Sequence, residues 1–108
     1  MGKVHLSLMI IAELAIFPTS EGVSASRYVK AALAALEETG LTLRTGPMAT
    51  CLEAPNLATL FSAVERAHQA VVDLGPRRIH LDLRIDDRRD TDATIATKLR
   101  SLGKDEHA

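Results

Sequence analysis

The stretch Arg77-Arg78-Ile79-His80-Leu81-Asp82-Leu83-Arg84-Ile85-Asp86-Asp87 alternates between charged and apolar side chains almost without a break. Successive side chains of a strand point to opposite faces, so a period of two predicts a single strand here. Ile79, Leu81, Leu83 and Ile85 fall on its apolar face, and Arg78, His80, Asp82, Arg84 and Asp86 on the other. A sheet that contains this strand has one face for the core and one ionisable face. What covers the ionisable face is the question on which function turns.

Outward from that strand, Val4 to Phe17 reads as a second long strand, with Leu6, Leu8, Ile10, Ala12, Leu14 and Ile16 all apolar and His5, Ser7 and Glu13 among the odd positions. Apolar residues on both faces suit a central strand, and Pro18 is expected to stop it for want of a ladder donor. Between the two lie the helical patterns. Ser24 to Thr39 carries Ala25, Val29, Ala32, Leu33 and Leu36 at helical spacing, with Ser24 as cap and Gly40 as stop. Pro55-Asn56 opens a second helix with the stripe Leu57, Leu60, Phe61, Val64, Ala67, Val71 and Leu74, closed by Gly75-Pro76. Leu41 to Thr45 and Met48 to Ala54 read as short strands around the Gly46-Pro47 turn. Asp90-Thr91 is the expected cap of a last short helix bearing Ile95, Leu99 and Leu102.

The order βαββαβ plus a terminal helix predicts an α+β, ferredoxin-like split βαβ fold: a four-stranded antiparallel sheet with two helices on one face. Odd residues of the first strand and even residues of the last then share the bare face. There Met9, Ile11, Ala15 and Phe17 form an apolar patch of a kind that monomers seldom expose, and self-association through the sheet is expected. The terminal helix is too small to cover a sheet alone, and docks either on its own subunit or on a partner.

With 108 residues, 46% of them hydrophobic, the chain is sized for one core. Residues 1–102 are read as a single domain and 103–108 as a flexible tail. Thirteen Lys and Arg against fourteen Asp and Glu leave a net charge of −1, so no basic footprint for nucleic acid or an anionic membrane exists. The longest apolar run, Leu6 to Phe17, is interrupted by Glu13 and falls short of the about 20 residues a membrane span needs. Signal-peptide features are lacking, and Leu6 stands where a myristoylation motif requires Ser or Thr. One cysteine, Cys51, rules out an internal disulfide and a multi-cysteine metal site. A cytoplasmic protein with neither nucleic-acid nor membrane partners is expected.

Several segments in this order resemble one family. They are Ile11-Ala12-Glu13, Phe17-Pro18, Ser26-Arg27-Tyr28-Val29, Gly46-Pro47-Met48-Ala49-Thr50, Ala67-His68-Gln69-Ala70 and Ile85-Asp86-Asp87-Arg88-Arg89-Asp90. Together they are similar to the small thiamine-binding protein family of the YkoF-like superfamily, over about Ile10 to Arg100. The resemblance implies the ferredoxin-like fold, sheet-mediated dimers that pair into homotetramers, and non-catalytic binding of thiamine or its hydroxymethylpyrimidine part, with no further cofactor. Only Phe17, Tyr28 and Phe61 are aromatic, so a stacking sandwich for a pyrimidine is poorly supplied, and Met9 or Met48 would have to pack on the ring.

Glu13 is the sharpest candidate, because a carboxylate between Ile11 and Ala15 in a central strand needs a partner. That partner is either an aminopyrimidine or thiazolium group, or else His80, Arg84 or a basic residue across an interface. Met48 and Thr50 flank the hairpin and are placed with Glu13 in the expected ligand site, while Ser26 at the helix start is a further polar candidate. Each also has an ordinary reading as a hairpin or helix-start residue. His5, His68, His80 and His107 lack metal-ligand spacing, and the acids between Asp86 and Asp92 lack the glycine turn and terminal glutamate of an EF-hand. A catalytic reading would require Cys51 with His80, or Glu13 with Asp82, and neither pair sits in a motif. An assembly protein without a small ligand is the remaining alternative.

Overall fold

The computed structural model describes residues 8–22 and 24–104. Its elements are β1 (Ile10–Pro18), α1 (Ser26–Glu38), β2 (Leu43–Thr45), β3 (Thr50–Ala54), α2 (Leu57–Val72), β4 (Ile79–Asp86) and α3 (Ile95–Ser101). The four strands run in the order β2-β3-β1-β4 with every pairing antiparallel, which is the ferredoxin-like arrangement the sequence predicts. The proposed start of the first strand at Val4, His5, His107 and the last four residues of the tail lie outside the described residues.

The even positions of β1 face the helices, where Ile10, Ala12, Leu14 and Ile16 join Leu52 and Ala54 of β3 in the core. Pro18 is the last residue of β1 rather than a stop before it, and is level with Ile79 of β4. Proline is tolerated at a strand end because there its missing N–H costs no interior ladder bond. The helical stripes depart from the expected ones by about one position. On α1 the buried residues are Tyr28, Ala32 and Leu36, with Val29 37% exposed. On α2 they are Leu60, Ala63, Val64, Ala67 and Val71, whereas Leu57 and Phe61 stand exposed. Two long helices that pack on each other as well as on the sheet rotate to suit both contacts, and sequence periodicity carries only one of them.

Helix ends show the same division. Asn56 caps α2 as expected, its side chain accepting from the Thr59 N–H at 2.8 Å. Ser24 does not cap α1: Ala25 holds the cap position, and its carbonyl accepts from the Tyr28 and Val29 N–H groups. Asp90-Thr91 likewise gives way to Thr94, whose reciprocal hydrogen bonds with Thr97 form a capping box. The capping box satisfies two orphan donors at once, more than a single aspartate can. Beyond α3 the chain does not fray at once, since Gly103, with φ +74°, and Lys104 return their N–H groups to the Arg100 and Leu99 carbonyls.

β4 departs from the expected burial. Ile79, Leu81 and Leu83 are only half-buried and Ile85 is 40% exposed, although all four lie on the helix side. β4 is an edge strand, and the helical layer sits over β1 and β3. No helix of mean breadth about 10 Å reaches across to cover it fully.

Candidate functional site

The open face of the sheet carries Ile11, Glu13, Ala15 and Phe17 of β1, Cys51 and Glu53 of β3, and the even residues of β4. The pairings Ile11↔Glu53, Glu13↔Cys51, Glu13↔Arg84 and Phe17↔His80 fix this set. It is not bare along its whole length. α3 crosses one end of it, over Ile11 and β3, so the terminal helix docks on its own subunit and leaves Ile11 8% exposed. Ala15 and Phe17 stay half-buried at the other end, where the Phe17 and His80 rings lie 5.1 Å apart.

Two groups pin α3 there. Lys98 forms an ion pair with Asp86 at the end of β4, and the Glu53 carboxylate accepts from the Ile95 backbone N–H. Glu53 is 7% exposed. Burial pushes its carboxyl above the ordinary range, the Ile95 hydrogen bond pulls down, and nearby Asp92 pushes up again. A carboxyl raised in the folded state takes its proton more readily than in the unfolded chain. Its stabilising contribution is therefore complete below the ordinary carboxylate pKa and is lost as pH rises through the raised value. The stability of the parent relative to Glu53→Gln, which does not titrate, should accordingly fall across that window and stay level above it. Denaturant unfolding at a series of pH values measures this, and a parent that gains stability relative to the variant as pH rises would contradict the placement.

Between α3, the Gly46–Ala49 hairpin and the open sheet face lies a cleft of about 300 Å³, lined by Ile11, Glu13, Arg44, Met48, Cys51 and Leu99 among others. Its volume reaches the lower bound for a small-molecule site, and its walls are mostly apolar with a few charged groups, as such sites require. A smaller cavity of about 110 Å³ lies on the other side, between the hairpin and α1. That space is too small for a ring-bearing ligand without rearrangement.

The residues singled out in the sequence distribute unequally over these spaces. Glu13 and Met48 line the large cleft together, and Met48 is 86% exposed, so it is free to close on a bound ring. Thr50 is level with Leu14, a core residue, and is 6% exposed in the smaller cavity on the helix side. The sheet thus separates Thr50 from Glu13. Ser26 is exposed at the first turn of α1, within the helical layer.

Glu13 finds Arg84 at 3.8 Å, and His80 turns instead to Asp82 at 3.2 Å. The Arg84 side chain is 84% exposed and the Glu13 side chain 46%. An ion pair this long and this wet contributes little, so Glu13 keeps acceptor capacity for a ligand. Of the two catalytic pairings, Cys51 and His80 stand apart, whereas Glu13 and Asp82 line one shallow pocket on the open face. Cys51 is level with Glu13 and His80 with Phe17, four residues apart along β1 or about 13 Å, while Asp82 is held by His80. Burial pushes the Cys51 thiol up, Glu13 adds to this and Arg44 opposes it, which favours the neutral thiol over a nucleophilic thiolate. Among the described residues no three His, Cys, Asp or Glu side chains gather as a metal site, and no helix is long and apolar enough to cross a membrane. The acids after β4 are spent on neighbours: Arg88 grips Asp90 with two hydrogen bonds and Arg89 pairs with Asp87.

Arg44, Cys51, Glu53, Lys98 and Leu99 enter the site without having been predicted for it. The alternation Thr50-Cys51-Leu52-Glu53-Ala54 carries a signal, since Cys51 and Glu53 fall opposite the apolar Leu52 and Ala54. Nothing comparable in the sequence places Lys98 or Leu99, which arrive only through the docking of α3.

The sequence profile of the family described as Thiamine-binding protein matches residues 12–103. A UPF0045 protein of Methanothermobacter thermautotrophicus is 41% identical over 95 residues, covering 87% of this chain and 96% of the relative. The UPF0045 protein YqgV of Bacillus subtilis is 35% identical over 101 residues, covering 89% and 96%. The crystal structure of a hypothetical protein from Methanocaldococcus jannaschii superposes with a TM-score of 0.82 at 34% identity, covering 89% of this chain and 97% of that one. A putative thiamine biosynthesis/salvage protein from Thermotoga maritima has the same fold, with a TM-score of 0.74 at 18% identity, covering 87% and 98%. A profile match across most of the chain and relatives of this identity settle the matter of descent: the chain belongs to the thiamine-binding protein family.

Proposed function

We propose that this protein binds thiamine, or a relative that contains its hydroxymethylpyrimidine ring, without transforming it, in the cleft between α3, the hairpin and the open sheet face. The observation that carries the reading is Glu13: a half-exposed carboxylate at the wall of a mostly apolar cleft, whose ion pair with Arg84 is long and solvent-exposed. It can accept from a ring amino group or face the thiazolium charge, while Met48 and Leu99 pack on the ring. Membership of a thiamine-binding family supports the ligand class. Thr50 and Ser26 stay candidates for a ligand that reaches the helix side, with Met48 at the boundary of both cavities.

Thiamine and hydroxymethylpyrimidine should each raise the melting temperature by mass action, and nucleotides and DNA should not. Thermal shift across a vitamin panel, followed by calorimetry, checks this. No response to any thiamine-related compound would leave the family's fold without its ligand. We further propose a cytoplasmic homotetramer in which sheets meet face to face, because Ala15 and Phe17 stay half-exposed beside the ionisable row of β4. Light scattering after size exclusion should give about four chains per particle.

A further inference from the structure

One row of residues crosses the open face through all four strands at the level of Glu13. The register sets Arg84 of β4 beside Glu13 of β1, Glu13 beside Cys51 of β3, and Cys51 beside Arg44 of β2. Residues directly opposite each other in a sheet share a face, so the row carries a cation at each end, with an anion and a thiol between them. The Cys51 thiol feels both of its neighbours, Glu13 raising its pKa and Arg44 lowering it. Neighbouring strands lie about 4.8 Å apart, so Glu13 and Arg44, two strands apart, are separated by about 10 Å between backbones.

The two ends of the row are not equivalent. Arg84 does not line the large cleft, and its side chain is 84% exposed. Arg44 is half-buried and does line it, together with Met48 of the hairpin. Three charged side chains form the cleft wall: Glu13, Arg44 and Lys98. Lys98 also holds Asp86, but the Asp86 carboxylate is not part of that wall. The wall therefore carries two cations against one anion. Its carboxylate suits an amino group or a ring cation, whereas its two cations oppose a ligand that is only positive. A ligand with a cation toward one end and an anion at the other complements the whole wall.

We propose, on the ligand reading given above, that the cleft takes a phosphorylated thiamine, with its aminopyrimidine at Glu13, its rings across Cys51 and its phosphate monoester on Arg44. The free alcohol of thiamine is neutral, whereas a phosphate ester carries about −1.5 to −2 charges at neutral pH. The guanidinium of Arg44 presents a planar fork of donors that matches phosphate oxygens two at a time and keeps its charge throughout the physiological range. Lys98 adds positive potential from α3 while it stays on Asp86. The span from Glu13 to Arg44 suits two linked rings with a short tail better than a single pyrimidine with its phosphate. Cys51 fits the middle of the row because burial favours its neutral thiol, and Met48 and Leu99 pack on the rings from the hairpin and from α3.

Calorimetry on the full-length protein at low salt tests this with thiamine, thiamine monophosphate, hydroxymethylpyrimidine and hydroxymethylpyrimidine phosphate. Thiamine monophosphate should bind about tenfold or more tighter than thiamine. The preference should shrink as salt rises, and phosphate should add less affinity on the single ring. Arg44→Gln should remove most of the preference and Arg44→Lys should retain part of it. Arg66→Gln, at an exposed ion pair on α2, should keep it whole. Thiamine monophosphate that binds no tighter than thiamine, a phosphate gain as large on the single ring, or a preference that survives Arg44→Gln would overturn the proposal and leave thiamine binding standing. Failure of every compound to bind would instead remove the ligand reading itself, and this proposal with it.

Discussion

Glu13→Gln is expected to weaken thiamine binding by about 1.5–3 kcal/mol, the range for a hydrogen bond to a charged group, or roughly tenfold to over a hundredfold in Kd. Melting temperature should scarcely move. The two effects separate because the pair Glu13 makes with Arg84 spans 3.8 Å between half-exposed and exposed side chains, a geometry worth little to folding. Glutamine keeps the shape and one acceptor oxygen but removes the charge that a thiazolium or a polarised ring amine would feel. Calorimetric affinity, melting temperature and particle mass on the one variant check the expectation. Unchanged affinity with a lower melting temperature would make Glu13 a structural partner of β4 and remove the residue on which the proposed site rests.

Leu52→Ala should cost about 2–5 kcal/mol of unfolding free energy, lowering the melting temperature by roughly 10 °C or more. Leu52 is 0% exposed in β3, level with Ala12 of β1 on one side and Leu43 of β2 on the other. Its loss opens a cavity where two strand neighbours and the helical layer meet, and paired strands cannot collapse to fill it. Leu102→Ala offers the contrast, because Leu102 follows α3 and is 74% exposed, so its truncation should stay within about 0.5 kcal/mol. Chemical denaturation of both variants decides the matter. A Leu52→Ala loss near that of Leu102→Ala would mean that β3 is not central to the core.

Much of this protein is written in local pattern. The period of two from Ile79 to Asp86, the apolar even positions of β1, the Asn56 cap and the glycine stops at Gly40 and Gly75 each depend on near neighbours in the chain. Near-neighbour preferences are what sequence records directly, so the order of elements and the ferredoxin-like topology follow from them. The same pattern identified Glu13 as a carboxylate out of place, because an acid in an apolar strand is anomalous whatever surrounds it.

Tertiary structure decided which residues share a face. Thr50 and Glu13 read as neighbours until the register Glu13↔Cys51 sets Thr50 beside Leu14, on the far side of the sheet. A shift of one residue exchanges the two faces of a strand, and no residue of β3 alone states its register against β1. Lys98 and Leu99 reach the cleft only because α3 folds back over β3, held by Glu53 from a strand distant in sequence and by Asp86 at the end of the strand just before it. The choice between Thr94 and Asp90 as cap, and between Tyr28 and Val29 as the buried residue of α1, was made there too. Sequence determined the strands, the helices and the odd carboxylate; packing across the sheet, where contacts join residues far apart in the chain, determined what stands next to that carboxylate.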